Sequence, residues 1–161
     1  MSNPTLCEGQ PINLNLFLDN PCSDQTWQWF ADGAVIQGAN NSSYVNTSPA
    51  FTAGTVISVE VCCSGCCTTM DVATILGLPV VTLAPIPSIN LCSWDGNPIP
   101  LNGTSNGGSC DYWGDGVWSG EFNPINAGGA GSYTVNYTCG NSDGCSSTAT
   151  QTIEVKEDDY W

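Results

Sequence analysis

Tyr133-Thr134-Val135-Asn136-Tyr137 is the stretch that decides the fold. Its aromatic and β-branched side chains alternate with short polar ones, and no helical period of 3.6 can be laid over it. Successive side chains of a strand point to opposite faces, so Tyr133, Val135 and Tyr137 form an apolar row and Thr134 and Asn136 a polar one. Working outward, residues 150–155 repeat the device as Thr-Gln-Thr-Ile-Glu-Val, and residues 56–61 and 12–18 add two more alternating or β-branched runs. Each run is bounded by Gly, Pro, Asn or Asp. Short strands separated by turn residues predict an all-β chain of sandwich type.

The same frame occurs twice. Leu6-Cys7-Glu8-Gly9-Gln10-Pro11-Ile12-Asn13-Leu14 reads against Leu91-Cys92-Ser93-Trp94-Asp95-Gly96-Asn97-Pro98-Ile99-Pro100-Leu101. Asn20-Pro21-Cys22 with Trp27 and Trp29 stands opposite Gly108-Ser109-Cys110 with Trp113 and Trp118. Phe51-Thr52-Ala53-Gly54 matches Ile125-Asn126-Ala127-Gly128, Val59-Glu60-Val61-Cys62-Cys63 matches Val135-Asn136-Tyr137-Thr138-Cys139, and Gly65-Cys66 matches Gly144-Cys145. Order is kept throughout, which is the signature of a duplicated unit. Two domains are expected, 1–78 and 79–156, followed by an acidic-aromatic tail, 157–161. The seam falls near residues 77–81. The link from Leu78-Pro79 to Pro85-Ile86-Pro87 is uncharged and Pro-rich, so a stiff, partly packed connection is expected there.

Charge excludes several functions. The chain of 161 residues carries 15 Asp+Glu against 1 Lys+Arg and no His, a net charge of −14. One basic side chain, Lys156, cannot displace the counterions of a nucleic acid or hold an anionic membrane surface. Without histidine there is no Ser-His or Cys-His couple and no imidazole metal ligand. Hydrophobic residues at 41% and aromatics at 9% still suffice for packed cores. No apolar run approaches the roughly 20 residues of a membrane helix; the longest, 72–87, is broken by Pro79, Pro85 and Pro87.

Ten cysteines in so short a chain point to an oxidising destination. Cys62-Cys63 and Cys66-Cys67 contain a C-x-x-C spacing, but a four-cysteine zinc site would need a second such pair, which Cys7, Cys22, Cys92 and Cys110 do not supply. Disulfides are therefore expected. Leu6-Cys7-Glu8 follows Met1 too closely for a secretory leader. The expectation is therefore either a piece of a larger secreted protein or a chain released by another route, such as host lysis.

Taken together, these blocks resemble a known family. Cys before P-I-x-L, then Trp, A-G, G-x-Y-x-V-x-Y and a Gly-Cys before the last strand are similar to the immunoglobulin-like or PKD-like repeat of surface proteins and adhesins of gliding bacteria. The second half is nearer the pattern, through Val117-Trp118-Ser119-Gly120, Phe122-Asn123-Pro124, Gly131-Ser132-Tyr133-Thr134-Val135 and Gly144-Cys145-Ser146. The first half has Thr55-Val56-Ile57 where the Gly-x-Tyr corner would stand, and it carries the extra Cys62 and Cys67. The resemblance implies two tandem immunoglobulin-like sandwiches of about seven strands, a structural or adhesive role and no catalytic residue. It also implies disulfides Cys7–Cys66 and Cys92–Cys145, which leaves Cys22 with Cys63 and Cys110 with Cys139 at matched positions. A two-residue turn at Ser64-Gly65 would set Cys62 opposite Cys67.

Four groups of residues stand out, the first as core and the other three as candidates for function. Trp27, Trp29 and Trp118 are expected as core rings. Trp94, Tyr112 and Trp113, with Asp95, Asp111 and Asp115, are expected in Gly- and Asp-rich loops, either packed on one another or offering a ligand contact for a sugar ring. Tyr160 and Trp161 end the tail as a candidate docking peptide. Asp111, Asp115, Asn141 and Asp143 are oxygen ligands for calcium, without a D-x-D-x-D-G series. No other cofactor is expected. The sequons at Asn40, Asn41, Asn46, Asn102 and Asn136 are what the composition gives by chance.

The functional expectation is a non-enzymatic extracellular structural protein. Two homes compete for it. One is an external virion component, a phage decoration or fibre protein, which needs no export signal; the other is a segment of a bacterial cell-surface adhesin or a carbohydrate-binding module. The virion is preferred. Expected partners are other structural proteins of the same assembly and surface glycans, with no nucleic acid and no membrane insertion.

Overall fold

Strand β6, Val56–Cys63, and strand β7, Cys66–Leu76, form the longest hairpin of the first half, joined by Ser64 and Gly65. Both turn residues are left-handed, φ +50° and +82°, the two-residue geometry whose twist matches that of the strands it joins. The computed structural model describes residues 4–47, 51–86 and 96–157. These divide into two compact units, Met1–Leu78 and Pro79–Trp161. Apart from one short helix the described residues form strands, turns and loops, and no described helix is long and apolar enough to cross a membrane.

The first unit holds β1 (Leu6–Cys7), β2 (Ile12–Asn15), β3 (Thr26–Ala31), β4 (Ala34–Val35), β5 (Ser43–Asn46), β6 and β7. One sheet runs β1-β7-β6-β3-β4 and the other pairs β2 with β5. Alternation explains the core between them. Ile12 and Leu14 of β2, Trp27 and Trp29 of β3, Tyr44 of β5 and Ile57, Val59 and Val61 of β6 all turn inward. Fully burying one such aliphatic side chain contributes about 1.5–3 kcal/mol. Trp29 is 0% exposed, its ring lies 5.7 Å from that of Tyr44, and its Nε1–H donates to the Asn41 carbonyl at 2.9 Å. A register shift between Ile57 and Ser58 inserts an extra residue in β7, so that Val72 and Ala73 are both buried. β2 ends at Asn15, short of the run to residue 18 expected from sequence, and Phe17 is exposed.

The second unit holds β8 (Val81–Leu83), β9 (Ile99–Pro100), β10 (Gly103–Ser105), β11 (Ser109–Trp113), β12 (Val117–Trp118), β13 (Glu121–Phe122), helix α1 (Pro124–Ala127), β14 (Gly131–Gly140) and β15 (Ser146–Val155). Its sheets are β11-β14-β15, β12-β13-β9 and β10-β8. The apolar link expected from sequence contributes β8, whose Leu83 is buried in the core with Leu101, Phe122, Val135, Tyr137, Ile153 and Val155. Asn123 caps α1 by accepting from the backbone N–H of Ile125 and Asn126, Pro124 sits in the first turn and Gly128 ends it left-handed. The tyrosine corner of the resemblance is present: the Tyr133 hydroxyl donates to the Gly129 carbonyl at 3.0 Å. Both units thus carry three adjacent antiparallel strands, β3-β6-β7 within the five-stranded sheet of the first and β11-β14-β15 in the second, as immunoglobulin-like sandwiches do.

Trp118 overturns one expectation. It is 82% exposed and outside the core. In the β12–β13 hairpin Val117 pairs with Phe122 and Trp118 with Glu121, so each pair shares a face. Phe122, 0% exposed, takes the inner face and leaves Trp118 on the outer one.

Candidate functional site

Sheet β11-β14-β15 presents two unlike faces. On the inner face Tyr112 and Tyr137 stand directly opposite each other and stack at 4.3 Å. The Tyr112 hydroxyl accepts from the Gly103 N–H at 2.8 Å and donates to the Leu101 carbonyl at 3.2 Å. Gly103 passes beneath the Tyr137 ring so closely that a Cβ there would strike it. With Tyr112 turned inward, Asp111 and Trp113 must turn outward.

The outer face is polar apart from Trp113. Asp111 pairs with Thr138 and Trp113 with Asn136, while Thr138 and Asn136 pair with Thr148 and Thr150. The Trp113 indole is 53% exposed and donates its Nε1–H to Thr138 Oγ1 at 2.9 Å, which carries the ring toward the neighbouring strand. Thr138 and Thr148 share a hydroxyl bond of 2.8 Å. Asn136, 8% exposed, accepts from the Thr150 hydroxyl at 3.0 Å and donates to the Trp113 carbonyl at 3.4 Å. Beside the ring lies an open cleft of about 680 Å³ lined by Trp113, Gly114, Asp115, Ser132, Tyr133, Thr134 and Asn136. Gly114 lets the end of β11 lie against the Thr134 carbonyl, which a side chain would obstruct. The cleft offers one exposed aromatic plane, hydroxyls and a carboxylate, and no cation.

These positions revise the expected aromatic cluster. Asp111, Tyr112 and Trp113 belong to a strand and not to a loop, because Tyr112 continues the inner row of the sheet. Tyr112 is committed to that row by its stacking and two hydrogen bonds, so it is no part of an outer platform. Asp115 stands in the turn that follows and does line the cleft. Trp94, Asp95, Tyr160 and Trp161 lie outside the described residues. The support from Asn136, Thr138, Thr148 and Thr150 comes from the structure, and its sequence signal is the alternation Thr148-Ala149-Thr150-Gln151-Thr152, a polar strand face. Of the calcium candidates, Asp111, Asp115 and Asp143 form no converging acidic group among the described residues. The Asn141 side-chain oxygen instead closes its own turn, accepting from Asp143 N at 3.1 Å and Cys145 N at 2.9 Å.

Five cysteines, Cys22, Cys62, Cys63, Cys66 and Cys67, gather at one end of the β6–β7 hairpin. Cys22 is bonded to Cys63 and Cys62 to Cys67, and in the second unit Cys110 is bonded to its partner in register, Cys139. Cys66 is a free, exposed thiol, so the Cys7–Cys66 bridge does not form. The reason is topological. Cys7 lies in β1 beside Leu76, at the far end of β7, ten residues or about 33 Å from Cys66. Cys7 and Cys145 each take part in a disulfide, and Cys92 lies outside the described residues. Cys22, Asp24 and Cys63 converge, as do Glu60, Cys62 and Cys67, but those sulfurs are already spent in disulfides. Asp24 holds the turn by accepting from the Ser64 backbone N–H at 3.1 Å and its hydroxyl at 3.2 Å.

No protein-family model matches the sequence, and no curated protein matches it either. Among solved structures, the fibronectin(III)-like modules of Clostridium thermocellum CbhA are 17% identical, covering 96% of this chain and 92% of that one, with a TM-score of 0.40. Immunoglobulin domains 1–4 of Sidekick-1 are 13% identical, covering 98% and 47%, with a TM-score of 0.37. The protein SGBP-B of the Bacteroides ovatus mixed-linkage glucan utilization locus, in complex with a mixed-linkage heptasaccharide, is 17% identical, covering 94% and 42%, with a TM-score of 0.35. The chain thus spans less than half the length of the latter two.

Proposed function

We propose that this chain is a non-enzymatic extracellular structural and binding protein, working as an external component of a virus particle, a decoration or fibre protein. The observation that carries the binding role is the outer face of β11-β14-β15, where one indole is locked in place on an otherwise polar sheet. Disulfides in both units suit an oxidising exterior. A net charge of −14 keeps many copies soluble and repels non-specific contacts at a crowded surface. Support for a non-enzymatic role comes from the Trp113 cleft, which holds the single carboxylate Asp115, whereas glycoside hydrolysis requires two flanking the bond.

The test is location. An antiserum raised against the folded chain is applied to purified virus particles and to intact host cells, with gold labelling read by electron microscopy. Label on the particle exterior is the expected result. Label confined to the surface of uninfected cells would replace the virion with the bacterial adhesin.

A further inference from the structure

We propose that the outer face of β11-β14-β15 binds an uncharged polysaccharide, with one pyranose ring stacked on Trp113 and its hydroxyls held by Asp115 and the threonine row. This deepens the binding role proposed above. The indole stands isolated on this face. Its outward neighbours in register and along the strand are Asp111, Asn136, Thr138, Thr148 and Thr150, none of them aliphatic or aromatic. A protein interface of ordinary stability surrounds its anchor with further apolar surface. A lone ring in a polar field fits a ligand with one apolar face and a polar rim, and the C–H face of a pyranose with equatorial hydroxyls is such a ligand.

Preorganisation is the second point. The Nε1–H bond to Thr138, itself bonded to Thr148, holds the ring in one orientation before any ligand arrives. A platform already ordered loses little entropy on binding. The adjoining cleft of about 680 Å³ is of the size that takes sugar units, and its Asp115 carboxylate accepts from hydroxyls. Charge sets the class. With 1 Lys+Arg against 15 Asp+Glu, a sulfated, phosphorylated or sialylated glycan meets repulsion and finds no counter-charge. The ligand is therefore neutral.

Titration calorimetry of the full chain in 0.15 M NaCl, with cellopentaose, laminaripentaose and mannopentaose as neutral probes and a heparin fragment as the polyanion, tests the site. At least one neutral probe is expected to bind, and heparin is not. Trp113→Ala should weaken binding about tenfold or more, the factor that loss of one stacked ring gives. Trp118→Ala removes the other exposed indole among that unit's described residues and should leave affinity unchanged. Should Trp113→Ala misfold by near-ultraviolet dichroism, Thr138→Val, which releases the indole, and Asp115→Ala serve in its place, each expected to weaken binding severalfold. Silence from every neutral probe at millimolar concentration, equal affinity in the folded site variants, or a preference for heparin would overturn the proposal. Location on the particle is measured separately, so either reading can fail while the other stands.

Discussion

Cys62 faces Cys67 directly across the β6–β7 hairpin, Cα to Cα 4.0 Å, and the two are bonded; Cys63 and Cys66, the adjacent pair, are not. Cys63 instead bonds Cys22, 41 residues away in sequence. One end of one hairpin therefore carries a local staple, a long-range staple and a free thiol.

The two staples differ in what they do for stability. In the loop-entropy picture the 41-residue closure is worth about 4 kcal/mol and the 5-residue closure about 2 kcal/mol. The double variant Cys22→Ala/Cys63→Ala should lower the first unit's denaturation midpoint clearly more than Cys62→Ala/Cys67→Ala. Urea titration followed by tryptophan fluorescence ranks them.

Cys66 is expected to be the described cysteine that reacts with maleimide in the folded, unreduced protein. Peptide mapping after labelling reads the site directly. Label on Cys63 or Cys22 in its place would mean that the hairpin pairs differently.

Trp29 and Trp118 should behave as opposites. Trp29→Ala removes a fully buried ring and strands the Asn41 carbonyl, a loss of roughly 3–5 kcal/mol. Trp118→Ala changes a side chain that is mostly in water and should stay within about 0.5 kcal/mol of the parent. Thermal melts of the two variants decide the matter.

In the second unit Tyr133→Phe deletes the hydroxyl bond to Gly129 and should cost about 1 kcal/mol. Gly103→Ala drives a methyl into the Tyr137 ring and should cost more, by forcing apart the stacked Tyr112 and Tyr137. Gly108→Ala, with open space around the new Cβ, is the silent control. Chemical denaturation of the three variants gives the order.

Much of the fold was legible because alternation is local. The period of two in residues 133–137 and 150–155 places Val135 and Ile153 inside from sequence alone, and both are fully buried. The Ser64-Gly65 turn likewise fixes a register, since a two-residue loop leaves the flanking residues no other partners. Period alone does not say which face is the inner one. Trp118 alternates with Val117 as a strand residue should, yet it faces out, because Phe122 across the hairpin takes the inner face together with its partner Val117. Tyr112 and Trp113 are adjacent aromatics whose unlike fates follow from one strand's pleat.

By itself the sequence determined the all-β class, the absence of cationic and histidine chemistry, and the hairpin that opposes Cys62 to Cys67; these rest on composition and on contacts within a few residues. Tertiary structure decided what depends on distant segments meeting. It separated Cys7 from Cys66 by pairing β1 with the far end of β7. It also turned Trp113 outward and tied its indole to Thr138, 25 residues on. Such pairings depend on which strands lie side by side and in what register, which strand pattern alone leaves open and the packing of whole sheets settles.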